Sequence, residues 1–214
     1  MTDLSFITEK RIVPVVVIHR AEDALPLAEA LLAGGLNVME ITFRTPASEP
    51  ALEMIARALP QMVIGAGTLL APAQVKRAHD LGARFGVAPG LNPVVVAAAR
   101  ELGMPFIPGV MTPTEVEAGI AHGCMLLKFF PVNFAGGVPM LKALNGPYAH
   151  TGVRLIPMNG ITAATMREHL AVPIVAAVGG TWVVAPDLLA ARDWREVTRR
   201  AKEALTIISE KAPE

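Results

Sequence analysis

The sequence predicts an α/β fold, a (β/α)8 barrel spanning residues 1–214 as one domain. Three observations lead there. Short β-branched runs alternate with Ala/Leu/Glu-rich stretches of helical length through the whole chain. The turns between them are brief and rich in Gly and Pro, which suits a small closed barrel better than an open doubly wound sheet. No linker, low-complexity tract or charge block divides the 214 residues, a length that an α/β barrel reaches undivided.

The elements follow in order. IVPVVVI (12–18) is the first strand, and the Ala/Leu-rich segment 22–33 is a helix stopped by the glycines of AGG (33–35). NVMEITF (37–43) and helix 47–58 form the second unit, and MVIGA (62–66) with helix 72–81 the third. RFGVA (84–88) pairs with helix 93–102, and glycines after 81 and 102 end these two helices. After PFIP (105–108), TPTE (112–115) sets Thr112 as N-cap, Pro113 at N1 and Glu115 at N3 of helix 113–122. MLLKFF (125–130) precedes helix 137–144, and VRLIP (153–157) precedes helix 162–170. IVAAVG (174–179) is the eighth strand, and helix 193–210 closes the chain.

Bulk properties narrow the function. Hydrophobic residues make up 52% of the chain and charged residues 18%, ample for a large core. A formal net charge of zero argues against nucleic acid or an anionic membrane as partner. Cys124 is the only cysteine, so no internal disulfide forms, which fits a reducing compartment. MTDLSFITEKR lacks the apolar core of a secretory signal, and no stretch approaches the ~20 apolar residues of a membrane helix. A soluble, cytoplasmic protein is the expectation.

Polar groups at strand ends carry chemistry in such a barrel. Glu40, Thr42 and Arg44 alternate, so they share one side of the sheet. Lys128 stands among Leu126, Leu127, Phe129 and Phe130. Two readings of it stay open. It snorkels from a strand end to water, or it is an amine that loses its proton readily and attacks a carbonyl. The second needs a free-lysine pKa of ~10.4 lowered by ~3 units, or ~4 kcal/mol, which apolar neighbours favour. Glu40 is likewise either half of an internal ion pair or a proton shuttle beside an imine. PMNG (157–160) and VGGT (178–181) are glycine turns that either aim backbone N–H groups at an anion or merely turn the chain. The histidines show no metal-ligand spacing, and no Ser-His-Asp, Walker or Rossmann pattern is present.

VMEITFRTP, GAGT, APGL, PGVMTPTE, KFFP and VGGTW, in this order and spacing, resemble the bacterial KDPG/KHG aldolase family over about residues 10–208. Its substrates are 2-dehydro-3-deoxy-6-phosphogluconate (KDPG) and 4-hydroxy-2-oxoglutarate (KHG). The resemblance implies a class I aldolase on a (β/α)8 TIM barrel, a homotrimer without metal or cofactor, acting on a small keto acid. It implies Lys128 as the Schiff-base lysine and Glu40 as the general acid/base, acting through a water. Arg44 and Thr68 would bind the pyruvate carboxylate, with Pro89 lining the same pocket. Gly160, Gly179, Gly180 and Thr181 would hold the distal phosphate or carboxylate. KDPG would give pyruvate and glyceraldehyde 3-phosphate, and KHG would give pyruvate and glyoxylate.

The chain departs from the family at PMNG, where PTGG is usual. Met158 stands where a threonine hydroxyl helps select the face of the aldehyde, and a thioether cannot donate a hydrogen bond. Asn159 replaces a glycine beside the phosphate, and Val132-Asn133 replaces the commoner Ala-Glu. These changes open an alternative, a related pyruvate aldolase of altered stereochemistry or for an unphosphorylated 2-keto-4-hydroxy acid. A barrel that only binds sugar-acid phosphates is a rival from another class, and retention of Glu40 with Lys128 argues against it.

Overall fold

The computed structural model describes residues 4–210. Among the described residues, nine short strands form two all-parallel sheets. The larger has the order β5-β4-β3-β2-β1-β9: β1 (Ile12–Val16), β2 (Val38–Thr42), β3 (Val63–Gly67), β4 (Phe85–Val87), β5 (Phe106–Ile107) and β9 (Val178–Gly180). The smaller runs β6 (Gly109–Val110), β7 (Leu126–Phe129), β8 (Arg154–Pro157). Isolated parallel bridges, Leu155 to Val175 and Met158 to Gly179, join β8 to the segment containing β9.

Strand periodicity sorts side chains onto two faces. Val13, Val15, Val38, Phe85, Val87, Ile107, Leu126 and Ile156 form an inner apolar cluster. Ile12, Val16, Met39, Ile41, Leu127, Phe129 and Leu155, their alternates, pack outward against the helices. Glu40 falls on the parity of Val38, and Lys128 on that of Leu126. Both are therefore carried inward with the inner cluster.

The helices are α1 (Ser5–Lys10), α2 (Ala24–Ala33), α3 (Ser48–Ala58), α4 (Pro72–Asp80), α5 (Pro93–Glu101), α6 (Pro113–Ala121), α7 (Gly137–Tyr148), α8 (Met166–Leu170), α9 (Pro186–Ala191) and α10 (Trp194–Ser209). The α6 cap forms as expected. The Thr112 hydroxyl accepts from Glu115 N–H, and the Glu115 carboxylate accepts from Thr112 N–H at 2.8 Å. Gly82, Gly103 and Gly123, just past α4, α5 and α6, have positive φ, the conformation glycine supplies most readily.

Four expectations need correction. α1 was not foreseen; its Ile7 joins the inner cluster and its Phe6 ring lies 5.5 Å from that of Phe85, so tertiary packing holds this short helix. The predicted helix 162–170 is helical only over Met166–Leu170, because a turn closed by Thr162 N–H to Thr165 Oγ1 (3.0 Å) precedes it. The predicted strand 174–179 is ladder-paired only from Val178, and a 3-10 turn (Trp182–Val184) and α9 follow it unforeseen. Finally, α7 runs past its breakers Gly146 and Pro147 because Tyr148 is buried and donates its hydroxyl to Glu117 (2.9 Å). No described helix is long and apolar enough to cross a membrane.

Candidate active site

At the carboxyl ends of the strands lies a cavity of about 290 Å³. It is lined by Arg44, Thr68, Pro89, Lys128, Met158, Asn159, Gly160, Gly179, Gly180 and Thr181, with Val15, Thr42 and Phe130. Every site residue singled out from the sequence is there except Glu40, which is fully buried beneath. Val15, Thr42 and Phe130 were not singled out as binding residues. Alternation signals two of them, since Thr42 shares the parity of Glu40 and Phe130 that of Lys128.

Lys128 is placed by register, opposite Gly109 on β6 and Ile156 on β8. Its side chain is only 7% exposed, yet it reaches the cavity. Nζ lies 5.0 Å from the centre of the Phe130 ring and has no hydrogen bond or ion pair among the described residues. The amine thus faces the cavity free of any competing carboxylate contact.

Glu40 pairs in register with Val15 on β1 and Gly65 on β3. Neither carboxyl oxygen has a hydrogen-bond partner among the described residues. Burial pushes the carboxyl above the usual carboxylate range, while the charges of Lys128 and Arg44 pull it back down. Such a group holds a proton at pH values where an exposed glutamate has lost it. Its carboxyl leans over Gly67, where a β-carbon would sit 1.9 Å from Oε1. Gly67 is therefore the space the carboxyl occupies, and not only a flexible joint before Thr68.

Thr68 itself has φ +62°, rare for a β-branched residue and costly by about 1–3 kcal/mol. That cost places its side chain at the cavity wall. Arg44 is exposed and has no ion-pair partner among the described residues, so its fork is open to a carboxylate. Thr42, by contrast, is committed, its hydroxyl donating to Val16 O at 3.0 Å.

The far end of the cavity is made of turns. Asn159 and Gly160 both have positive φ, 91° and 76°. Asn accommodates this region better than most side chains, so the replacement of glycine at 159 keeps the turn. No helix begins at this turn, so the expected helix N-terminus does not contribute to anion binding there. The Met158 side chain lies across Gly179, with Sδ 2.8 Å from where a β-carbon would be. A larger cavity of about 490 Å³ lies at the opposite ends of the strands, among Val96, Met104, Phe106, Cys124 and Leu126. None of the candidate site residues lines it.

A family model described as "KDPG and KHG aldolase" matches residues 4–200. The chain is 42% identical to the 2-dehydro-3-deoxy-phosphogluconate aldolase of Treponema pallidum over 198 residues, 92% of this chain and 93% of that protein. It is 40% identical to the KHG/KDPG aldolase of Escherichia coli over 201 residues, 94% of this chain and 93% of that one. Its fold is similar to that of the KDPG aldolase of Legionella pneumophila, solved with pyruvate captured as a covalent carbinolamine. That match has a TM-score of 0.90 at 39% identity and covers 94% of this chain and 96% of that one.

Proposed function

Since the chain belongs to the KDPG and KHG aldolase family and is an aldolase, a carbon–carbon lyase, we propose that Lys128 is the amine that forms its Schiff base, with KDPG as substrate and KHG as a possible second. The observation that carries this reading is a buried, unpaired lysine amine facing the same cavity as Arg44 and Thr68, above a glutamate whose pKa is raised by burial. We further read the two sheets as one closed (β/α)8 barrel domain in which β5 and β6 are halves of a single strand. The backbone bonds Leu155 N–H to Ile174 O and Ala176 N–H to Leu155 O support the closure.

The reaction follows from these groups. Arg44 and Thr68 fix the carboxylate of the keto acid so that its C2 carbonyl faces Nζ. The amine adds to C2, and Glu40, through a bridging water, donates the proton with which the hydroxyl leaves as water. Glu40 is then a carboxylate, and along the same path it takes the C4 hydroxyl proton. The C3–C4 bond breaks, its electron pair flows into the iminium, and the aldehyde departs. Reprotonation of the enamine at C3 and hydrolysis of the imine return pyruvate and the free amine.

Borohydride with pyruvate should fix a reduced adduct on Lys128, found by peptide mass spectrometry, and Lys128→Ala should release no pyruvate. An unmodified Lys128 peptide after that treatment refutes the assignment.

The side chain of Met158 favours a second reading, a pyruvate aldolase with relaxed choice at C4, because the cavity wall at that point is a thioether that donates no hydrogen bond. Comparing kcat/KM for KDPG, its C4 epimer and unphosphorylated analogues decides between the two. Family resemblance also suggests a homotrimer. Leu70, Val94, Met111 and Phe134 are exposed apolar side chains that follow β3, β4, β6 and β7 on the same face, which suits an interface there.

A further inference from the structure

The backbone ladder between β1 and β2 ends at the pair Val16–Ile41. Arg44 lies beyond that end, where backbone pairing with β1 no longer holds the chain. Two threonine hydroxyls, one on each side of Arg44, prolong the contact. Thr42 Oγ1 donates to Val16 O at 3.0 Å, and Thr45 Oγ1 donates to Ile18 O. On the other flank Phe43 N–H bonds Gly67 O of β3 at 2.7 Å. Arg44 N–H turns back onto Thr42 O at 2.8 Å.

Ser48 closes this loop. It is 1% exposed at the start of α3, yet its hydroxyl bonds the loop and not the helix. Oγ donates to Thr42 O at 2.7 Å, accepts from Thr45 N–H at 3.3 Å and lies 3.0 Å from Thr45 Oγ1. Thr45 is thus tied by its backbone to Ser48 and by its side chain to the segment after β1. The Arg44 side chain has no hydrogen bond or ion pair among the described residues, so the backbone at 44 sets where its guanidinium can reach. A long side chain that a ligand must order costs rotamer entropy, and a mobile backbone beneath it adds to that cost.

We propose that Thr45 is a positioning residue for Arg44, its hydroxyl fixing the backbone from which the guanidinium reaches the carboxylate of the keto acid. This inference rests on the aldolase reading above, in which Arg44 binds that carboxylate. It goes beyond that reading by naming the residue that holds Arg44 in place. Thr45 does not line the cavity, so its effect on keto-acid binding passes through Arg44 and not through contact.

The test follows exchange of pyruvate methyl protons with deuterated water by NMR, reading the half-saturating pyruvate concentration and the plateau rate separately. Exchange needs Lys128 and the keto-acid carboxylate but no aldehyde half. Thr45→Val keeps the shape of the side chain and removes the hydroxyl. It should raise half-saturation about three- to tenfold, the range for one lost hydrogen bond, and leave the plateau within about threefold. Thr45→Ser keeps the hydroxyl and should stay within about twofold of wild type on both readings. Arg44→Ala should raise half-saturation further, and adding Thr45→Val to it should change nothing more, because the two residues act as one unit. An equal effect of Thr45→Val in both backgrounds shows general loosening and overturns the proposal. Unchanged half-saturation in Thr45→Val beside a raised value in Arg44→Ala overturns the role of Thr45 and leaves that of Arg44 in place. No change in Arg44→Ala overturns the reading of Arg44, and absence of exchange in wild type overturns the aldolase reading itself. Thermal melting checks that each variant folds, and Thr45→Ala takes the place of Thr45→Val if the latter does not.

Discussion

Gly67→Ala puts a methyl carbon 1.9 Å from Glu40 Oε1, 2.6 Å from Cδ and 2.8 Å from Cγ. Carbon atoms of this kind essentially never approach other heavy atoms within 3.0 Å, so the carboxyl must retreat by over 1 Å. It has little room to do so, because Glu40 is fully buried on a strand paired to both neighbours. A misplacement of about 1 Å in a reacting group costs on the order of 10²-fold in rate. Overpacking of this size also costs about 1–3 kcal/mol of stability, each kcal/mol lowering Tm by about 2–4 °C in a domain of this length. Pyruvate release, coupled to lactate dehydrogenase, should therefore show kcat down about 100-fold, while slow borohydride trapping at Lys128 still goes to completion. Gly146→Ala is the matched control. It lies within α7 with nothing within 4 Å of the added carbon, so it should leave the rate alone and stabilise by about 0.5–1 kcal/mol. A folded Gly67→Ala enzyme within threefold of wild-type kcat would refute the claim that proton transfer depends on where this carboxyl sits.

Two further predictions concern Glu40 and Phe134. A carboxyl whose pKa is raised on folding gives stability that is fully present below its unfolded pKa and is lost as pH rises through the folded value. Glu40→Gln removes that dependence, so its Tm advantage over wild type should grow from pH 5 to pH 8, with kcat lowered about 10²–10⁴-fold. A Tm difference that stays flat with pH contradicts the burial argument. Phe134 is 85% exposed in the segment after β7, and Phe134→Glu should shift the molecular mass by light scattering towards that of one chain. An unchanged mass removes this side chain from any interface.

Much of the site was legible because strand alternation is local. Glu40 and Thr42 share a parity with the inner cluster, as do Lys128 and Phe130, and a charged residue on a buried parity stands out in any apolar strand. Helix ends marked by their own residues were legible for the same reason, as with the Thr112–Glu115 cap and the glycines after α4, α5 and α6. α1 was not, because six residues carry too little periodicity to signal a helix, and what stabilises this one is a pocket formed by Phe85 and its neighbours. The breakers Gly146 and Pro147 misled for a related reason, since a buried tyrosine beyond them outweighs their local preference.

By itself, then, the sequence determined the alternation of elements, the inward parity of Glu40 and Lys128 and the chemistry each side chain can offer. Tertiary structure alone decided that Glu40 lies under the cavity rather than in its wall, that Gly67 yields it space, and that Thr45 bonds Ile18 O. The division has one physical cause. Backbone geometry and side-chain periodicity act over a few residues, whereas these contacts join strands and loops far apart in the chain, and only packing of the folded chain brings them within van der Waals reach.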